Sequence, residues 1–199
     1  MRFVFSRVFL LAWIVVFWAY HFLTYGKVEG KHERSMREKY KIRGKWAQFF
    51  GLTFPAWTAV IIFYFFRGGD WIYRFAFLDT TAVGIAGMAL MCLSLLLYVL
   101  FTFSVGRSIR DSVVSGGEPG LVTTGIYRLA RHPAYLAFLL MGFGTFLIVP
   151  NPVTLALLAY TCVVTNGHAA DEERRLLALY GDGYERYSKA VGRFFPKNG

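Results

Sequence analysis

Charged residues are scarce in this chain, and cysteine is nearly absent. Only 17% of the 199 residues are Asp, Glu, Lys or Arg, and the acidic ones number 12 against 22 basic. The two cysteines, Cys92 and Cys162, sit inside apolar runs with no Cys-x-x-Cys spacing. Packing is their expected use, and neither a disulfide framework nor a zinc site follows. No Gly-Lys-Ser/Thr triplet follows a glycine-rich stretch, which excludes a phosphate-binding P-loop. Internal repeats and low-complexity tracts are also missing. The basic residues form short runs between apolar blocks rather than one stripe, which argues against nucleic acid as a partner.

Apolar residues are what the chain has in excess: 56% hydrophobic and 19% aromatic, with a mean hydropathy of +0.43. That is too apolar for an ordinary soluble domain. The apolar residues fall in five blocks: 3–23, 46–66, 76–105, 134–149 and 153–165. About 20 apolar residues cross roughly 30 Å of hydrocarbon, so the first three span easily. The last two are short and read as a tight, partly embedded helical hairpin, turned by Pro150, Asn151 and Pro152. The first block is longer than a signal-peptide core and lacks a small-x-small cleavage pattern, so it reads as a retained anchor.

The expected fold is therefore an all-α integral membrane protein of about five transmembrane helices. It has an N-terminal three-helix part (1–105), followed by a loop, a helical hairpin and C-terminal amphipathic helices (106–199), all in one structural domain. Five crossings place 18 of the 22 Lys and Arg residues on one side, in segments 26–45, 106–133 and the C-terminus. Arg2, Arg7, Arg67 and Arg74 lie opposite. The positive-inside rule then makes the basic side cytoplasmic, with the N-terminus outside and the C-terminus inside. Anionic membrane lipid is a secondary partner of the +10 net charge.

Two polar clusters meet on that side. The first runs from Gly120 through Thr123-Thr124-Gly125 to Ile126-Tyr127-Arg128-Leu129-Ala130-Arg131-His132-Pro133-Ala134-Tyr135. Its Gly/Thr loop is a plain connector or a backbone surface for a ligand. Pro133 suits the first turn of a helix. A basic-aromatic belt of snorkelling arginines is the plainer use of the rest. Yet a histidine wedged between Arg131 and a helix-starting proline is a costly choice for anchoring alone.

The second cluster is Asp171-Glu172-Glu173, followed by Arg174-Arg175 and by Leu176, Leu177 and Tyr180. The acids are expected at a helix N-terminus, where they cap or bind, with an amphipathic interfacial helix after them. Gly181-Asp182-Gly183 should break that helix. Tyr184 and Tyr187 then mark one face of a second short helix, which packs on the bundle or covers a ligand. The group types suit S-adenosylmethionine: carboxylates for its ammonium and diol, Arg131 or His132 for its carboxylate, and tyrosine faces for its sulfonium and adenine.

Taken with Arg193-Phe194-Phe195-Pro196, these ordered motifs resemble the isoprenylcysteine carboxyl methyltransferase family and the related membrane phospholipid methyltransferases, over residues 120–196. The resemblance implies an enzyme that uses S-adenosyl-L-methionine, entering from the cytosol. The implied cofactor set is Leu121, Val122, Gly125, Tyr127, Arg131, His132, Tyr135, Glu172 and Glu173, with no metal. It also implies a lipophilic or lipid-linked acceptor: an isoprenylcysteine-like carboxylate, a phospholipid amine or a thiol. Methyl transfer by in-line displacement needs alignment and desolvation more than covalent help.

Eukaryotic carboxyl methyltransferases of that family carry an arginine shortly before the glutamate pair. Here Asn166-Gly167-His168-Ala169-Ala170 stands instead. His168 is therefore the candidate for acceptor proton transfer, a role that a carboxylate acceptor does not need. An NADPH-dependent membrane sterol reductase shares an Arg-His-Pro-x-Tyr segment and is the enzymatic alternative; a non-catalytic binding protein of the same fold is the other. The acceptor is expected to enter sideways, beside Phe138, Met141 and Phe143 of the hairpin and Phe101 and Phe103 of the third span. Gly142 and Gly144 either leave room for it or serve helix packing. The sequence leaves the oligomeric state open.

Overall fold

The computed structural model describes residues 2–25, 46–67, 75, 78, 80–114 and 120–197. The basic segment 26–45, Arg74 and the turn residues 115–119 lie outside them. Every regular element among the described residues is helical: α1 (Arg2–Tyr25), α2 (Ala47–Arg67), α3 (Thr81–Val114), a 3-10 turn (Gly125–Arg128), α4 (Pro133–Ile148), α5 (Pro152–Tyr180) and α6 (Asp182–Ala190). α1, α2, α3 and α5 are long and apolar enough to cross a membrane, and α4 is a shorter apolar helix. Phe5, Phe22, Phe66, Ile85, Phe103 and Val163 project outward, as bilayer-facing residues do. The chain is an integral membrane protein.

The long helices pack in a ring. α1 contacts α2 and α3, α3 lies along α4, α4 packs on α5, and α5 returns to α2. Inside the ring stand Trp13, Phe17, Trp57, Met91, Tyr98 and Met141, all at most 5% exposed. Indole donors cannot stay unpaired in hydrocarbon. Trp13 Nε1 donates to the Met91 carbonyl at 2.9 Å, and Trp57 Nε1 donates to Thr161 Oγ1 at 2.9 Å.

α3 and α4 touch through glycine. A Cβ on Gly87 would lie 2.6 Å from the Gly144 carbonyl, and one on Gly144 would lie 2.7 Å from the Gly87 carbonyl. A Cβ on Gly142 would come within 3.0 Å of the Trp57 indole. These glycines serve packing, so they leave no passage for an acceptor chain. Gly144→Leu should lower stability by about 1–3 kcal/mol or more, since overpacking a filled interface costs about that much. Thermal unfolding in detergent reads the effect; an unchanged midpoint would show that α3 and α4 do not rely on this contact.

The hairpin turn forms as the sequence predicts. Asn151 Oδ1 accepts from the Val153 and Thr154 amides at 2.9 and 3.0 Å. Thr154 Oγ1 in turn accepts from the Asn151 amide at 3.3 Å, which closes a capping box before α5.

The last span departs from expectation. α5 does not stop near residue 165 with a separate helix after the acids; it runs unbroken through them for 29 residues. Gly167 survives mid-helix because the Trp46 indole packs against it, where a side chain would collide. Asp171 does not cap its own helix. It accepts from the Trp46 amide at 3.2 Å and so caps the start of the neighbouring helix α2. Arg174 pairs with Asp171 one turn on, and Arg175 Nε donates to the Asp171 carbonyl at 3.2 Å.

Candidate functional site

One end of the ring gathers the C-terminal ends of α1, α3 and α5 and the N-terminal ends of α2 and α4. The loop entering α4 is seated first. Gly125 has φ 63°, a conformation that glycine takes readily. A Cβ there would also strike the Ser104 hydroxyl of α3. That hydroxyl accepts from the Ile126 amide at 3.3 Å. The loop is thereby fixed to α3, and Pro133 starts α4 directly after His132.

His132 is 5% exposed and lies between the two glutamates of α5. Its Nδ1 is 3.3 Å from Glu172 Oε2 and its Nε2 is 3.3 Å from Glu173 Oε1. Burial alone would depress the imidazole, but the hydrogen bonds and charges of Glu172 and Glu173 outweigh it, and the group titrates above its ordinary value of 6.5. A raised folded pKa means this pairing stabilises the fold fully below about pH 6.5 and fades as the pH climbs through the raised value.

The two glutamates have different surroundings. Tyr135 Oη donates to Glu172 Oε2 at 2.6 Å, and the Glu172 side chain keeps 38% exposure. Glu173 is 15% exposed and meets Arg131 Nη2 at 3.1 Å. It also takes a two-pronged contact from Arg193, with Nε at 3.0 Å and Nη2 at 2.5 Å.

A cavity of about 150 Å³ opens between these elements. The loop contributes Leu121, Val122, Tyr127, Arg131 and His132 to its wall, α4 contributes Tyr135, and α5 contributes Glu172, Leu176 and Tyr180. Positions 172, 176 and 180 are four residues apart and share one helix stripe. α6 adds Tyr184 and Tyr187, and α3 adds Phe101. Tyr187 Oη donates to the Tyr127 carbonyl at 2.7 Å. Arg131 lies over the Tyr184 ring at 6.0 Å. Burial pushes the Tyr184 phenol up to about 12, helped by the Glu173 charge. Arg131 Nε and the Tyr184 hydroxyl are both buried, and both residues belong to the cavity wall.

Of the nine residues expected to hold a cofactor, seven line this cavity: Leu121, Val122, Tyr127, Arg131, His132, Tyr135 and Glu172. Gly125 shapes the loop from behind, and Glu173 stands behind His132. His168 lies one turn before Glu172 and outside the cavity wall, stacked on Phe50 at 4.7 Å and 5.4 Å from the Tyr135 ring. Its Nδ1 has no hydrogen-bond partner. Of the apolar residues expected along the acceptor route, Phe101 reaches the cavity. Met141 is core, and Phe103 and Phe143 face outward. The sequence reading missed Leu176 and Tyr180, whose spacing from Glu172 was a usable signal once α5 is taken as continuous. It assigned no role to Arg193, which no local pattern joins to Glu173.

Comparison with known proteins finds a family model and several relatives that match part of this chain. The family model "phospholipid methyltransferase" matches residues 82–183. A protein-S-isoprenylcysteine O-methyltransferase of Schizosaccharomyces pombe is 30% identical over 127 residues, 62% of this chain and 52% of that protein. Protein-S-isoprenylcysteine O-methyltransferase A of Arabidopsis thaliana is 36% identical over 98 residues, 47% of this chain and 49% of the relative. A methanethiol S-methyltransferase of a Pseudomonas strain is 29% identical over 80 residues, 40% of this chain and 30% of the relative. The aligned part covers about half the length of the first of these relatives. No solved structure matches the chain.

Proposed function

The chain belongs to the phospholipid methyltransferase family, and on that premise we propose that it is an S-adenosylmethionine-dependent membrane methyltransferase acting on a lipophilic or membrane-associated acceptor. The observation that carries the reading is the pairing of opposite chemistries in one cavity. Glu172, held by Tyr135 and His132, supplies a fixed carboxylate, while Arg131 and Tyr184 bring donor groups to the same wall.

Those groups fit the cofactor. Glu172 would hold its ammonium. Arg131 and Tyr184 would hold its carboxylate through charge-assisted hydrogen bonds. Tyr127, Tyr180 and Tyr187 offer ring faces to its base and its cationic centre, and Leu121 and Val122 supply apolar contact. When bound, S-adenosylmethionine supplies an electrophilic methyl group. The chain's own part is to bind, to orient, and to exclude water with Phe101 and Leu176. His168, just below Glu172 on the same helix, is the candidate to take a proton from an acceptor that carries one.

The relatives' names span a carboxylate acceptor and a thiol acceptor, and a phospholipid amine is the third member of the proposed acceptor class. Calorimetry on detergent-purified protein should find S-adenosylhomocysteine binding and no NADPH binding. The reverse result would replace methyl transfer with a reductase, and binding of neither would leave a non-catalytic membrane protein. Labelled methyl incorporation into lipid extracts, prenylcysteine analogues and small thiols then identifies the acceptor.

The site end of the bundle is proposed to face the cytoplasm, following the excess of Lys and Arg in the segments that flank it. Lys31→Cys and Asn198→Cys, each introduced alone into a Cys92→Ala/Cys162→Ala background, should both resist a membrane-impermeant thiol reagent in intact cells. Labelling of both from outside would reverse the orientation, and labelling of Lys31→Cys alone would overturn the span count.

A further inference from the structure

The segment after α6 is built into the back of the site. Gly192 and Arg193 pair with the loop before α4: the Arg131 amide donates to the Gly192 carbonyl at 2.9 Å, and the His132 amide donates to the Arg193 carbonyl at 3.0 Å. The Arg193 side chain reaches across to α5, where it forks onto Glu173 and donates to Asn166 Oδ1 at 2.8 Å. Such a planar two-point contact fixes geometry in a way a lysine would not. The tail also folds back on α6, because Lys197 Nζ donates to the Ser188 and Lys189 carbonyls at 3.0 and 2.9 Å. α6 and the tail are thus tied together, and α6 carries Tyr184 and Tyr187 of the cavity wall.

The cavity, about 150 Å³, is smaller than the roughly 300–1,000 Å³ of pockets that hold drug-sized ligands. α6 forms one side of that cavity through Tyr184 and Tyr187, so its position sets the space a ligand finds. α3 and α4 are locked by the Gly87–Gly144 contact and α5 starts from a capping box, whereas α6 is a nine-residue helix held at the edge by the tail and by Tyr187 on the Tyr127 carbonyl.

We infer that Arg193 is a positioning residue: it latches α6 and the C-terminal tail over the cavity by gripping Glu173, and release of that grip is the gate through which a ligand enters and leaves. It touches no cavity space itself. Glu173 then serves as the latch's fixed post and as the back support of His132. The inference builds on the methyltransferase reading for the ligand's identity, while the latch can be measured without any ligand.

The first measurement is hydrogen–deuterium exchange in detergent micelles, followed at the Arg131 and His132 amides, whose partners are the tail carbonyls. Arg193→Gln should speed their exchange at least tenfold, and Glu173→Gln should do the same. The double variant should be no faster than Glu173→Gln alone, because both substitutions remove the Arg193–Glu173 contact and Glu173→Gln also weakens the contacts with Arg131 and His132. Arg193→Lys, which keeps the charge and loses the fork, should fall between wild type and Arg193→Gln. The amides of α3 and α4 should keep their protection.

Unchanged exchange at Arg131 and His132 in Arg193→Gln would overturn the latch. So would multiplied effects in the double variant, or equal acceleration throughout the bundle. The second measurement is S-adenosylhomocysteine release, expected at least threefold faster from Arg193→Gln than from wild type; an equal or slower rate would overturn the gating role. A wild-type protein that binds no S-adenosylhomocysteine would sink the methyltransferase reading and leave the exchange result to decide the latch.

Discussion

Glu172→Gln is expected to weaken S-adenosylhomocysteine binding about thirty-fold while leaving the thermal unfolding midpoint within a few degrees of wild type. The substitution keeps the shape of the side chain and the oxygen that accepts from Tyr135, and it removes the charge facing the cavity. Losing one partner of a hydrogen-bonded charge pair at a binding surface costs about 2–5 kcal/mol. The low end applies because the Glu172 side chain retains 38% exposure, and about 2 kcal/mol corresponds to about thirty-fold in affinity. Calorimetric titration of wild type and variant gives the comparison directly. Unchanged affinity would reduce Glu172 to a support for His132 and Tyr135, and would remove the main argument for a zwitterionic cofactor in this cavity.

Adjacent positions on a helix are turned by about 100° from each other, since there are 3.6 residues per turn. Glu172 and Glu173 therefore point in different directions from one continuous helix, Glu172 into the cavity wall and Glu173 behind His132. The sequence marks the pair as functional and cannot divide the work, because it reads the acids as the start of a new helix. Gly167 and the charged run from Asp171 to Arg175 look like a boundary by local preference. What overrides that preference is tertiary: the Trp46 indole covers Gly167, and the Trp46 amide gives Asp171 a partner at the start of α2. Neither contact has a local signature.

The apolar spans were legible for the opposite reason. Their cause is burial in hydrocarbon, which acts on every residue of the block and needs no specific partner. The Pro-Asn-Pro turn was equally legible, since its chemistry is complete within Pro150 to Thr154. The segment from Leu121 to Tyr135 lay between these cases. Its residue types pointed to a ligand, but the seat that aims them, Ser104 beneath Gly125, is over twenty residues away in sequence. Arg193 was the least legible of all. Its partners Glu173 and Asn166 lie beyond the break at Gly181, and only the folded tail brings the guanidinium to them.

The acceptor's chemistry should be readable from His168. This side chain sits one helical turn before Glu172, stacked on Phe50 and beside Tyr135, so it lies at the border between the polar cavity and the aromatic core. Its buried Nδ1 has no hydrogen-bond partner, an expensive arrangement in an apolar setting unless something arrives to use it. A thiol or ammonium acceptor must shed a proton, and a positioned base is worth about 10²–10⁴ in rate. With such an acceptor, His168→Asn should cut turnover at least a hundredfold and leave S-adenosylhomocysteine affinity within twofold of wild type. A carboxylate acceptor is already ionised and has no proton to give, so the same variant should then turn over at close to the wild-type rate. Measuring kcat for a small thiol, an aminophospholipid and a prenylcysteine analogue separates these cases. Full activity of His168→Asn on the thiol and the amine would remove His168 from the reaction. A parallel fall in cofactor affinity and unfolding temperature would assign it to the packing of Phe50 against Tyr135.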